Sequence, residues 1–265
     1  MPRMIIGTNW FAGYSHTSVA KDNFIREFQT PERLAAVLEV FLESGVDAIM
    51  GGQSKYPVKE AIEIAEQRTG KKIIRVITPW FKLTPDWSDA PEPERAFDEC
   101  AAEGATFCLP HQSVTDALVD RRDRMIREID NYTAMIRDRG MIPGLSTHMP
   151  ETPGYADAQN ADVETYIQIY NAAGFMMQVE IDWVAQIIAK AAKPVMTIKP
   201  FAAGRLHPFV GLAFVWSTIR DQDMVTVGVT TPDEAREVID MSLTLLDKRL
   251  PDNALQSTRS KKSIN

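Results

Sequence analysis

Four side chains able to do chemistry stand at the ends of short apolar runs. His111 follows residues 105–109, His148 follows 141–147, Glu180 follows 175–179 and Lys199 follows Val195–Ile198. Each run has the length and apolar content of a buried strand, so each polar residue marks a strand exit. Two imidazoles and a carboxylate are good ligands for Zn²⁺, Mn²⁺ or Fe²⁺, which makes His111, His148 and Glu180 a candidate metal set. No HxH or HExxH spacing ties them together, and simple hydrogen bonding in a pocket explains them equally well. A lysine that closes a buried strand loses solvation, which lowers its pKa and frees the amine as nucleophile or base. Glu180 is the expected partner of Lys199, either in catalysis or as a structural ion pair.

Other exits add binding groups. Asn9, Trp10, Gln53, Thr78 and Trp80 follow the first three runs and are candidates for holding substrate, with aromatic rings as pocket walls and His16 in the first loop as a further polar member. Near the end of the chain, Thr231-Pro232-Asp233-Glu234 is a strong helix start: threonine as N-cap, proline in the first turn, glutamate closing a capping box. With Gly204, Arg205, Gly228 and Thr230 beside it, this start is a candidate anion site; the alternative is a well-capped helix with Arg205 bridging two loops.

The elements that must position these residues alternate regularly. Strands are expected at 3–8, 46–50, 72–78, 105–109, 141–147, 175–179, 195–198 and 224–229. A long loop over 9–29 follows the first strand, and helices fill the other gaps, among them one long helix from Ser113 to Gly140 and one near 162–173. Eight strand–helix repeats in about 250 residues predict a single α/β domain, a (β/α)₈ TIM barrel over residues 1–250, with a polar, frayed tail over 251–265. In such a barrel the carboxyl ends of the strands share one mouth. The turn after the first strand reads Gly7-Thr8-Asn9-Trp10, without the GxGxxG of a doubly wound dinucleotide fold.

Composition narrows the function classes. The chain has 265 residues, a net charge of −7 and 45% hydrophobic residues. No basic patch favours nucleic acid, no apolar run favours a membrane, and two cysteines make neither a disulfide framework nor a CxxC site. The expected setting is cytoplasmic, and the expected partner is a small molecule; a homo-oligomer is compatible with the sequence.

The stretch KPFAAGRL, followed by VTVGVTTPDEAREVID, resembles the end of an aldo-keto reductase barrel. There a Pro-small-Gly-Arg-Leu loop follows the seventh strand, and a Val-Gly exit precedes a Ser/Thr-Pro-x-Glu helix start. The resemblance implies a nicotinamide dinucleotide over these loops, and Asp, Tyr, Lys and His at the ends of strands two to four. His111 matches the histidine and Tyr56 lies near the tyrosine position; Asp47 falls early, and Thr78-Pro79 stand where that family carries its lysine. The residues themselves favour lyase, aldolase or isomerase chemistry beside a carbonyl of a small polar or sugar-like substrate, phosphorylated or not, with Lys199 or Glu180 moving the proton and His111 and His148 polarising oxygen. A divalent metal ranks ahead of NAD(P) as cofactor. A divergent NAD(P)H-dependent reductase is the second reading, and a ligand-binding barrel without catalysis the third.

Overall fold

The structure, a computed structural model, describes residues 1–53 and 56–249. The expected tail over 251–265 lies outside the described residues. In chain order the elements begin with β1 (Met4–Gly7), α1 (Val19–Phe28), α2 (Pro31–Glu43), β2 (Ala48–Met50), α3 (Val58–Thr69), β3 (Ile74–Ile77) and α4 (Pro93–Ala102). The central part holds β4 (Phe107–Cys108), α5 (Gln112–Leu118), a hairpin of β5 (Val119–Asp120) and β6 (Met125–Ile126), α6 (Ile129–Asp138), β7 (Ile142–Pro143), β8 (Leu145–Ser146) and α7 (Thr152–Ala158). The chain closes with β9 (Tyr166–Ile169), α8 (Ile181–Lys190), β10 (Val195–Ile198), α9 (Pro208–Thr218), β11 (Met224–Val227) and α10 (Pro232–Asp247).

The main sheet runs β7-β4-β3-β2-β1-β11-β10-β9-β8, with parallel pairing throughout. Its two terminal strands, β7 and β8, are halves of one fifth strand broken at Gly144. The first half pairs with β4 and the second with β9, so this strand closes the eight-fold barrel. At the break, the Gly144 N–H donates to the Cys108 carbonyl at 3.3 Å and the Leu145 N–H to the Thr165 carbonyl at 3.1 Å. A Cβ on Gly144 would lie 2.7 Å from the Thr165 carbonyl oxygen and 2.9 Å from Leu109 Cδ2, so the change of partner requires glycine.

Strand alternation divides the core in two. Ile5, Ala48, Met50, Val76, Leu109, Ile167, Met196 and Met224 fill the barrel interior. Neighbouring strand residues point the other way, as Ile6, Ile49 and Val225 do, and pack against the helices. At the amino ends of β10 and β11, buried Asp223 accepts from the Val195 N–H at 2.9 Å and pairs with the Arg220 guanidinium at 2.8 Å. Arg75 donates to the Glu103 carbonyl and lies 3.8 Å from the Glu66 carboxylate. Among the described residues, no helix is long and apolar enough to cross a membrane.

Three expected elements differ. The sixth strand is Tyr166–Ile169, inside the region expected to be helical, and every residue in it is buried. A run buried on both faces lacks period-two alternation, and its aromatic and β-branched residues fit a helix pattern as well. Residues 175–179 are instead a loop, fastened by Asn171, whose side-chain oxygen accepts from the N–H groups of Ala173 and Phe175. The helix expected from Ser113 to Gly140 is interrupted by the β5–β6 hairpin, where Asp120 Oδ1 accepts from the N–H groups of Arg122 and Asp123. The loop after β1 contains α1, capped by Ser18, whose hydroxyl accepts from the Lys21 N–H at 3.1 Å.

Closure at Gly144 is testable. Gly144→Ala should destabilise the chain by ~1–3 kcal/mol through overpacking. Gly154→Ala, in open space within α7, should be close to neutral. Denaturant unfolding of both variants checks this; equal stabilities would mean that the closing strand tolerates a side chain.

Candidate active site at the barrel mouth

A cavity of about 700 Å³ opens at the carboxyl ends of the strands. Asn9, Trp10, Thr78, His111, His148 and Lys199 all line it, as the sequence reading expects, together with His16. Strand direction brings them together: each follows a parallel strand on the same end of the barrel.

Lys199 and His16 form the centre of the site. Lys199 Nζ lies 2.9 Å from His16 Nε2, and Asn9 Nδ2 lies 3.3 Å from the same nitrogen. The Asn9 amide nitrogen is a donor only, which makes Nε2 an acceptor and places the proton of the neutral ring on Nδ1. Both residues sit in left-handed backbone, at φ 57° for His16 and 63° for Lys199, followed by Ala202 at 49° and Ala203 at 55°. Such conformations cost about 1–3 kcal/mol each where the side chain is not glycine, and they concentrate at functional sites. The His16 loop is held from α1: the Asp22 carboxylate accepts from the Ser15 N–H at 2.8 Å and from the Ser15 hydroxyl at 2.6 Å.

Burial lowers the Lys199 pKa to about 8, with no acidic neighbour among the described residues to raise it. His16 is pushed below its ordinary value by burial and by the Lys199 charge, against an opposing pull from Asp22. His148 falls to about 4, first through burial and then through the charges of Lys199, His111 and His16. His111 is lowered by burial alone. It is the N-cap of α5, with Nδ1 accepting from the Ser113 N–H at 3.3 Å and lying 2.7 Å from the Ser113 hydroxyl. The neutral His111 ring therefore carries its proton on Nε2. His148 is positioned through its backbone: its N–H donates to the Asp116 carboxylate at 3.2 Å, and the adjacent Thr147 hydroxyl donates to it at 2.5 Å. Burial raises the pKa of Asp116. The site is thus one amine and three imidazoles that resist protonation, walled by Trp10, Met176, Phe201 and Leu206.

Several expected members lie elsewhere. Glu180 does not end a strand; it is the exposed N-cap of α8 and does not line the cavity, because the sixth strand ends at Ile169. The Glu180–Lys199 pair therefore does not form, and Lys199 faces His16 instead. The metal set of His111, His148 and Glu180 is likewise broken, and no group of three or more His, Cys, Asp or Glu able to hold a metal occurs among the described residues. Gln53 is buried beneath the mouth, its amide donating to the carbonyls of Ile49 and Val76. Trp80 is 42% exposed and packs on Trp87 outside the cavity.

The expected anion site is filled from within. Thr231 caps α10 and Pro232 opens it, but the Glu234 carboxylate accepts from the N–H of Thr230 at 2.6 Å and from its hydroxyl at 2.8 Å. Arg205 donates to the Ala202 carbonyl and covers the Phe175 ring at 4.1 Å. Gly204 and Gly228 do line the cavity, whereas Arg205, Thr230 and Thr231 do not. Gly228 makes room for an aromatic wall: a Cβ there would lie 2.9 Å from Trp10 Cδ1. The sequence reading did not single out Asp116, Met176 or Glu234 as site residues. Only the 116–147 contact and the closed sheet reveal the first two, while the spacing of Glu234 marks a cap and not a cavity wall.

Solved structures share this architecture. A Pseudomonas aeruginosa protein described as an aldo-keto reductase matches at TM-score 0.65 and 15% identity, over 92% of this chain and 90% of that one. Aldose reductase from Giardia lamblia matches at TM-score 0.57 and 15% identity, over 95% and 89%. A truncated 3-deoxy-D-arabino-heptulosonate 7-phosphate synthase from Thermotoga maritima matches at TM-score 0.52 and 12% identity, over 92% and 86%. At these identities the likeness establishes the fold: a (β/α)₈ barrel of the kind found in aldo-keto reductases. No protein-family model matches the sequence, and no curated protein matches it.

The histidine environment gives a direct prediction. His148 should titrate near pH 4 by NMR, and Lys199→Met should raise that value by removing a neighbouring charge. The unfolded ring takes up a proton near pH 6.5 that the folded ring refuses until about 4. Stability should therefore fall as pH drops through that window, and less steeply in His148→Asn. An ordinary His148 titration near 6.5 would contradict the buried, positively charged mouth.

Proposed function

We propose that the chain is an enzyme of small carbonyl compounds in which the Lys199 amine condenses with the substrate. The observation that carries this reading is Lys199 itself: a half-buried amine with a pKa near 8, on strained backbone, 2.9 Å from an imidazole acceptor. His16 Nε2 takes the ammonium proton, and the free amine attacks the carbonyl carbon to form a carbinolamine. His111, with its proton on Nε2, hydrogen-bonds the carbonyl oxygen as it gains charge; the proton held by His16 passes to the carbinolamine hydroxyl, which leaves as water, and a protonated imine remains. The imine draws electrons from a neighbouring C–H or C–C bond, which is the chemistry of an aldolase, lyase or isomerase. Glu180 has no part in it, and the proton-transfer groups are the imidazoles.

A second reading, a nicotinamide-dependent carbonyl reductase, is favoured by the reductases among the solved structures of like fold and by a cavity larger than a small carbonyl compound needs. The comparisons weigh toward this reading and the site chemistry toward the first; a carbonyl substrate is common to both. The chain's own residues fit a dinucleotide poorly at the start of α10, where Glu234 already holds the Thr230 donors that would receive a phosphate. Tyr56, near the family's tyrosine position, is 69% exposed and does not line the cavity, and Thr78 stands in the lysine position.

Borohydride trapping separates the two. With pyruvate, glycolaldehyde or dihydroxyacetone, reduction should add the substrate mass less one oxygen to the peptide that carries Lys199, with a yield that rises through pH 8; Lys199→Met should show none. Absence of an adduct at Lys199 with all three, together with carbonyl-dependent oxidation of NADPH or NADH, would move the assignment to the reductase.

A further inference from the structure

Lys199 is a half-buried cation without a counter-ion. Nζ contacts His16 Nε2, and no carboxylate lies within ion-pair distance among the described residues. A buried charge left unpaired is costly, and proteins normally neutralise it with an acidic partner. Here the surrounding groups add only donors and further nitrogen bases. His111 presents Nε2–H, His148 has both ring nitrogens uncommitted to any described residue, and Asn9 supplies an amide. The two carboxylates on the cavity wall, Glu234 and Glu237, are exposed on α10, away from the strand ends, and Glu234 is occupied by Thr230.

We propose that the substrate is an oxo acid, a small carbonyl compound with its own carboxylate, and that this carboxylate supplies the charge Lys199 lacks. The proposal rests on the carbonyl reading above for the second half of the molecule, while the carboxylate half stands on the geometry of the mouth. In a 2-oxo acid the carboxylate and the carbonyl carbon are bonded neighbours, so one ligand satisfies the ammonium on arrival and offers its carbonyl to the amine. A planar carboxylate has two acceptor oxygens, which suits an ammonium and one or two imidazole N–H groups. A phosphate is disfavoured: among the described residues no arginine lines the cavity, the Thr230 N–H is taken, and two carboxylates stand on the outer wall.

The affinity has a defined pH dependence. Lys199 Nζ lies 2.9 Å from His16 of the first loop and its charge acts on His148 of the fifth strand; His111 lines the same cavity, Asp22 and Arg205 act on His16, and Asp116 accepts from the His148 N–H. The imidazoles are all held below their ordinary pKa, so Lys199 near 8 is the member of the cluster that changes charge between pH 7 and 9. The anion binds the ammonium form, so affinity is full below about pH 8 and declines above it.

Calorimetric titration with lactate and lactamide tests the carboxylate alone, because neither can form an imine. Lactate should bind at pH 7 at least tenfold tighter than lactamide, and should weaken about tenfold per pH unit above pH 8. Lys199→Arg should keep lactate binding and lose borohydride trapping with pyruvate; Lys199→Met, confirmed as folded by melting, should lose both. Equal binding of lactate and lactamide, or lactate binding unchanged in Lys199→Met, would overturn the proposal. Trapping of glycolaldehyde on Lys199 in that event would leave the amine chemistry intact; lactate binding as expected with no trapping of any carbonyl would remove the amine chemistry and leave the carboxylate site standing.

Discussion

Closure of the sheet at the fifth strand is the constraint on which the site depends. Gly144 lets one strand leave β4 and join β9, and the ring of parallel strands is complete only because of that change of partner. Once the ring is closed, alternate side chains point inward and the last inward residues of several strands share one mouth. His111 and Lys199, 88 positions apart in sequence, then both act on the protonation of His148. Below them the interior is aliphatic, and that dry floor is what makes the buried nitrogen groups behave unlike groups in water.

The electrostatic character of the mouth follows from what is missing as much as from what is present. A lysine beside a carboxylate would stay charged and serve as an ion pair. Lys199 is instead beside His16, in a cluster of nitrogen bases where burial disfavours every charge and the Lys199 charge further disfavours those of His16 and His148. The carboxylates that do lie close act at one remove: Asp22 shapes the His16 loop through Ser15, and Asp116 fixes the backbone of His148. The left-handed backbone at His16 and Lys199 shows that the fold tolerates local strain to bring these two side chains together.

The fold alone does not choose the chemistry. Structures of similar architecture include reductases and a heptulosonate phosphate synthase, as expected of a barrel whose reactions are set by its loops. At the start of α10 the Glu234 carboxylate occupies backbone and hydroxyl donors that a phosphate would use, and at the seventh strand a lysine reaches into the cavity. Both are properties of individual side chains, and it is from these that the activity of this chain must be read.

By itself the sequence determined the eight-fold alternation, the N-cap at Thr231, the buried runs Val195–Ile198 and Met224–Val227, and the placing of His111, His148 and Lys199 at strand ends. These are local matters, settled by periodicity, capping chemistry and the rise of the strand. Tertiary structure decided the rest. Tyr166–Ile169 became the sixth strand because it is buried on both faces, which erases the alternation that would have marked it and moves Glu180 to the surface. The loop after β1 became a structured arm only through Asp22 and the Ser18 cap, which deliver His16 to Lys199 across 183 residues. The partner of a buried lysine is fixed by which loop folds over it, and no spacing along the chain records that.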